Sequence, residues 1–168
     1  MIDRTPEGAV SAASDANGIR IVRIFDAPRE QVFKAWTERE RFATWFGEEG
    51  SSIPLETFSM DARPGGAWSL IMIHGPKRME IPFSGHFREL VEPSLVVLTL
   101  ADPTDPESGN VEELTAVFED LGDGRTEMTF TQRGGHLSSN EYSRAMRGSL
   151  IFFERLAEQL KTRHDTES

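Results

Sequence analysis

A chain of 168 residues is long enough for one domain with a real core, since a domain of this size buries roughly 70% of the surface its unfolded chain exposes. Its formal charge of -10 and pI near 4.9 repel a phosphate backbone or an anionic bilayer, so neither nucleic acid nor a membrane is an expected partner. The absence of cysteine excludes disulfides and thiolate metal sites.

Met1 to Asn17 mixes Asp3, Arg4, Glu7 and Asp15 into a small-residue stretch. It has neither the apolar core of a signal peptide nor the periodicity of an ordered element, and reads as a disordered arm over 1–17. The apolar runs at Leu95 and Leu150 are far too short to span a bilayer, so a cytoplasmic protein is expected. Gly18 to Asp26, with Ile19, Ile21, Ile24 and Phe25, reads as the first strand. Pro28 opens a helix with Glu30 in its first turn, and Val32, Phe33 and Trp36 fall on one face. Thr37 to Glu40 has the form of a capping box, which predicts a second short helix carrying Phe42, Trp45 and Phe46 up to Gly47.

The period then changes to two. Pro54 to Met60 reads as a weak strand and Arg63-Pro64-Gly65-Gly66 as a turn. In the next strand Trp68, Leu70 and Met72 share one parity, and His74 falls in line with them beside Gly75-Pro76. Strands follow at Glu80 to Val91, Leu95 to Ala101, Val111 to Asp120 and Arg125 to Arg133, the last two joined by the compact Gly122-Asp123-Gly124 signal. Ser138 and Glu141 form another capping-box pattern. Tyr142, Met146, Leu150, Phe153, Ala157 and Leu160 then recur at helical spacing, which predicts a long closing helix with 163–168 as a frayed tail. The order is that of an α+β fold, a single domain over 18–162.

Catalytic patterns are scarce. His74, His86, His136 and His164 show no metal-ligand spacing, and neither a nucleophile elbow nor a phosphate-binding loop is present, so no catalytic residue, metal or cofactor is assigned. A histidine at a strand end most simply sits solvated at a rim; turned inward, His74 is a candidate acid or base. His86 reads as part of the polar face of its strand, and Glu48, Glu49 and Glu56 as a solvated acidic patch. Gln132 and Arg133 near a strand end are candidates for hydrogen-bonding a ligand.

Phe25-Asp26-Ala27-Pro28-Arg29-Glu30 through Ala35-Trp36-Thr37 to Trp45-Phe46-Gly47, then Arg63-Pro64-Gly65-Gly66-Ala67-Trp68, then Val117 to Thr126, resemble the activator-of-Hsp90-ATPase homologue family. That family belongs to the START-like (SRPBCC) superfamily of helix-grip folds. The resemblance extends from about Gly18 to Leu160. It implies a curved antiparallel sheet of about six or seven strands wrapped on the C-terminal helix, with two short helices after strand 1 and a cavity between sheet and helix. Residues expected at that cavity are Phe33, Trp36, Trp45, Phe46, Trp68, Leu70, Met72, His74, Phe118, Met146, Leu150 and Phe153. Many relatives carry Gly-Trp in the long helix where this chain has Gly148-Ser149, a departure that implies a cavity either wider or differently closed than theirs. Three functions follow from the resemblance. Binding of a small apolar or aromatic molecule ranks first, a polyketide cyclase or aromatase-like enzyme second, and activation of a chaperone ATPase third. The third is ranked last because such activators carry a separate N-terminal domain, for which an arm of about seventeen residues is expected to leave no room.

Overall fold

The computed structural model describes residues 10–47, 50–102 and 105–167. Strands β1 (Val10–Asp15) and β2 (Gly18–Phe25) form a hairpin, and two short helices follow, α1 (Arg29–Thr37) and α2 (Arg39–Trp45). Six further strands succeed them: β3 (Ser59–Met60), β4 (Ala67–His74), β5 (Met79–Val91), β6 (Leu95–Ala101), β7 (Val111–Asp120) and β8 (Thr126–Arg133). Helix α3 (Ser139–Glu167) closes the chain. All eight strands belong to one antiparallel sheet in the order β1-β2-β8-β7-β6-β5-β4-β3. This is the expected α+β helix-grip form with one strand more.

The extra strand is β1. Val10–Asp15 were expected in a disordered arm, but they pair with β2 from Val10↔Arg23 to Asp15↔Gly18. Their side chains are small and mostly solvent-facing. Backbone pairing with an existing edge holds them there, and it leaves no apolar signature. Residues 1–9 lie outside the described residues. A second correction concerns Pro54 to Met60, where a 3₁₀ turn at Leu55–Thr57 precedes a strand of only Ser59–Met60.

The two capping boxes behave differently. Ser138 and Glu141 form theirs as expected: the Glu141 N–H donates to Ser138 Oγ at 3.1 Å and the Ser138 N–H to Glu141 Oε1 at 2.9 Å. Thr37 does not cap α2; its hydroxyl donates back to the Phe33 carbonyl at 3.0 Å, inside α1, and Glu38 becomes the N-cap residue. The two helices follow one another too closely for Thr37 to leave the first and serve the second. Helix α3 runs 29 residues, about eight turns where six were expected, and continues to Glu167.

Strand register sets which side chains share the inner face of the sheet. One row across the strands is Phe87, Leu98, Leu114, Gln132 and Ile19; the next is Leu90, Val96, Ala116, Phe130 and Ile21. Helix α3 packs on this side along β1, β2 and α2. Arg23, buried on the inner face of β2, pairs with Glu154 of α3, and Arg155 donates to the Gly47 carbonyl at 2.8 Å. These polar ties pin the long helix at its two flanks while apolar contacts fill the middle.

Candidate functional site

Helices α1 and α2 are short because Pro28 starts the first and a residue with φ +125°, Gly47, follows the second; what holds them is aromatic packing. Trp36 sits at the centre, its ring centroid 4.9 Å from Trp45 and 6.1 to 6.5 Å from Phe42, Phe118, Phe130 and Phe153. Phe42 stacks on Phe46 at 4.8 Å. Trp45 is fully buried, and its indole N–H donates to the Ala35 carbonyl at 2.9 Å, locking α2 onto α1. The five aromatics of these helices are therefore structural members first.

Between α2, α3 and the inner sheet face a hollow of about 340 Å³ remains. Trp36, Phe42, Trp45, Phe46, Phe130 and Phe153 form much of its wall, Leu100 and Leu114 add sheet surface, and α3 contributes Arg144, Ala145, Gly148, Ser149 and Phe152. The hollow exists because three of those α3 positions carry small side chains where the facing strands would accept large ones. An adjoining hollow of about 190 Å³ shares Leu100, Gln132 and Ala145 and leads on to Glu112, Asn110 and His136. A depression of about 390 Å³ beside α1 differs in kind: Lys34, Glu38, Arg63 and Glu92 contribute charge to its lining.

The two joined hollows meet at a buried polar cluster. Glu112 and Gln132 both face inward from β7 and β8, 7% and 6% exposed. Gln132 Nε2 donates to Glu112 Oε1 at 3.2 Å, the Tyr142 hydroxyl donates to Glu112 Oε2 at 3.2 Å, and the Gly135 N–H donates to the Tyr142 oxygen at 3.0 Å. Burial pushes the Tyr142 phenol above its ordinary pKa, and the hydrogen bond to Glu112 and its charge act in the same direction. Gly134 stands opposite Glu112, where a Cβ would lie 2.0 Å from Glu112 Oε2, so the carboxylate occupies space that only glycine leaves. His136 Nε2 lies 2.9 Å from the Val111 carbonyl at the outer end. Among the described residues no group of three or more His, Asp or Glu is placed to hold a metal ion.

Of the residues expected at a cavity, Trp36, Trp45, Phe46 and Phe153 line the hollow. Trp68, Leu70 and Met72 face inward and are buried but are not part of the lining; the Trp68 ring packs against Phe42 and Phe46, and its indole donates to the Thr99 carbonyl at 3.0 Å. Phe33 and Phe118 pack on each other at 6.4 Å, away from the hollow. Met146 and Leu150 are half-buried on the flank of α3, and the inner row runs instead through Tyr142, Ala145, Ser149, Phe153 and Leu156. His74 is half-buried at the end of β4, paired with Met79, and is not part of the lining. Glu56 is exposed; Glu48 and Glu49 lie outside the described residues. Glu112 was missed because the pair Glu112-Glu113 reads as a polar strand end. Its parity with Leu114, Ala116 and Phe118 is the signal that places it inside.

Residues 26–161 match the family described as Activator of Hsp90 ATPase homolog 1-like protein. No curated protein matches the chain. Among solved structures, a protein from Chromobacterium violaceum superposes with a TM-score of 0.73 at 23% identity, over 86% of this chain and 96% of its own. A protein from Nitrosomonas europaea gives 0.75 at 22%, over 88% and 96%. An AHSA1 protein from Silicibacter pomeroyi gives 0.73 at 22%, over 88% and 99%. Likeness at these identities is likeness of fold.

Proposed function

The chain belongs to the Activator of Hsp90 ATPase homolog 1-like family, of START-like helix-grip fold, and we propose that it binds a small apolar or aromatic molecule in the hollow beneath α3. The observation that carries this reading is the combination of a volume near 340 Å³, within the roughly 300–1,000 Å³ of ligand pockets, with a wall of aromatic rings and few polar groups. Such a wall gains from displacing water onto an apolar ligand, and the rings around Trp36 hold its shape before the ligand arrives. A cyclase-like reaction in the same hollow would need a positioned acid or base, and the residue that suggested one, His74, stands outside the lining.

Ser149→Trp tests the reading, because it places a large ring where Ser149 now borders the hollow. Titration calorimetry with naphthalene should show saturable binding to the native protein and its loss in the variant, at an unchanged or raised Tm. Equal affinity in both proteins would place any binding elsewhere. Native mass spectrometry of freshly purified protein should retain a small molecule in the native chain and none in Ser149→Trp.

A further inference from the structure

We infer that the ligand of the hollow carries a neutral O–H or N–H donor, a phenolic hydroxyl being the simplest case, and that Gln132 Oε1 is the atom that accepts from it. This rests on the binding reading above and adds the ligand's polar end.

The orientation of the Gln132 amide follows from its partner. A carboxylate without its proton only accepts hydrogen bonds, so the amide must turn its NH₂ toward Glu112. Glu112 is held where it stands, since Tyr142 donates to its other oxygen and Gly134 leaves the space that the carboxylate fills. The Tyr142 oxygen is engaged on both sides, donating to Glu112 and accepting from Gly135. One strong acceptor is then left over. Gln132 Oε1 takes no protein hydrogen bond among the described residues, although the side chain is more than nine-tenths buried and borders both hollows. That oxygen opens onto the hollows and is not fully buried, so water reaches it in the free protein; an apolar ligand that displaced this water would strand the acceptor, and a donor on the ligand avoids that cost.

The same chain of bonds selects against a cation. The Glu112 charge already receives two donors and stands behind Gln132, and the polar residues on the wall of the larger hollow are Gln132, Ser149 and the cationic Arg144, none of them an anion. An ammonium ion would lose its hydration there without gaining a direct carboxylate contact.

Four probes of one shape test this on the native protein: naphthalene, 2-naphthol, 2-methoxynaphthalene and 2-naphthylmethylammonium, each titrated by calorimetry. 2-Naphthol should bind about tenfold more tightly than naphthalene, and 2-methoxynaphthalene, which keeps the oxygen but not the proton, should gain nothing. In Glu112→Gln the Gln132 amide is free to turn over, and the ratio of 2-naphthol to 2-methoxynaphthalene affinities should fall toward one. Because that ratio is taken within one protein, a change in stability does not affect it. Equal binding of 2-naphthol and naphthalene to the native protein would overturn this inference and leave apolar binding standing. Tightest binding of the ammonium probe would overturn it in favour of direct recognition by Glu112. Binding of none of the four would overturn both the inference and the reading beneath it.

Discussion

The two short helices and the long one lie against the same face of the sheet, and both present apolar residues at helical spacing. They differ in how completely that spacing is filled. Across α1 and α2, Val32, Phe33, Ala35, Trp36, Phe42 and Trp45 are all buried, and the rings contact one another directly. Along α3 the buried residues cluster at Tyr142 near the start and at Phe153, Leu156 and Leu160 near the far end. Between them Ala145, Gly148 and Ser149 leave the hollow. Periodicity therefore marks which face turns inward, and side-chain size decides whether that face is packed or open.

The largest effect should come where α3 is packed as tightly as the short helices. Leu156 is fully buried, and Leu156→Asp should cost about 4 kcal/mol or more by burying an unpaired charge, read as a lower denaturant midpoint. A loss below about 1 kcal/mol would mean that this half of α3 is not the anchored one. Trp45→Ala should cost about 3–5 kcal/mol, because it removes both a packed indole and the bond to Ala35. That residue is a structural member of the hollow's wall, so a variant that kept its Tm and lost only ligand would contradict the contrast drawn here.

Smaller effects separate the two capping boxes. Ser138→Ala should lower stability by about 1 kcal/mol, whereas Thr37→Ala should stay within about 0.5 kcal/mol because its hydroxyl satisfies no helix N-terminus. Equal losses in chemical denaturation would show that Thr37 caps α2 after all.

The smallest effect is electrostatic. The Ser138 backbone N–H, then its side chain, hold the Glu141 carboxyl below its ordinary pKa. A carboxyl depressed in the folded state contributes stability above its unfolded pKa and loses it as pH falls through the folded value. The Tm advantage of the native chain over Glu141→Gln should accordingly be present at neutral pH and shrink in the acid range below the ordinary glutamate value. An advantage that persisted unchanged at low pH would refute the capping role of the charge.

Much of the fold was legible in residue order. Alternation at Trp68, Leu70 and Met72, turn chemistry at Gly122 to Gly124, and the Ser138–Glu141 box each report a local preference, and local preferences survive into the folded chain because tertiary packing agrees with them. Aromatic spacing likewise identified Trp36, Trp45, Phe46 and Phe153 as inward residues. What residue order could not supply depends on neighbours distant along the chain. Strand β1 exists through backbone pairing to β2, to which its small side chains add little. Whether Trp68 lines a space or packs against Phe42 depends on how α2 seats on β4. Glu112 and Gln132 come together only because β7 and β8 pair in one register and Gly134 leaves room for the carboxylate. Pattern sets the inward face of each element, a property of a few consecutive residues; the volume between faces is a difference among many side chains, and only their assembly determines it.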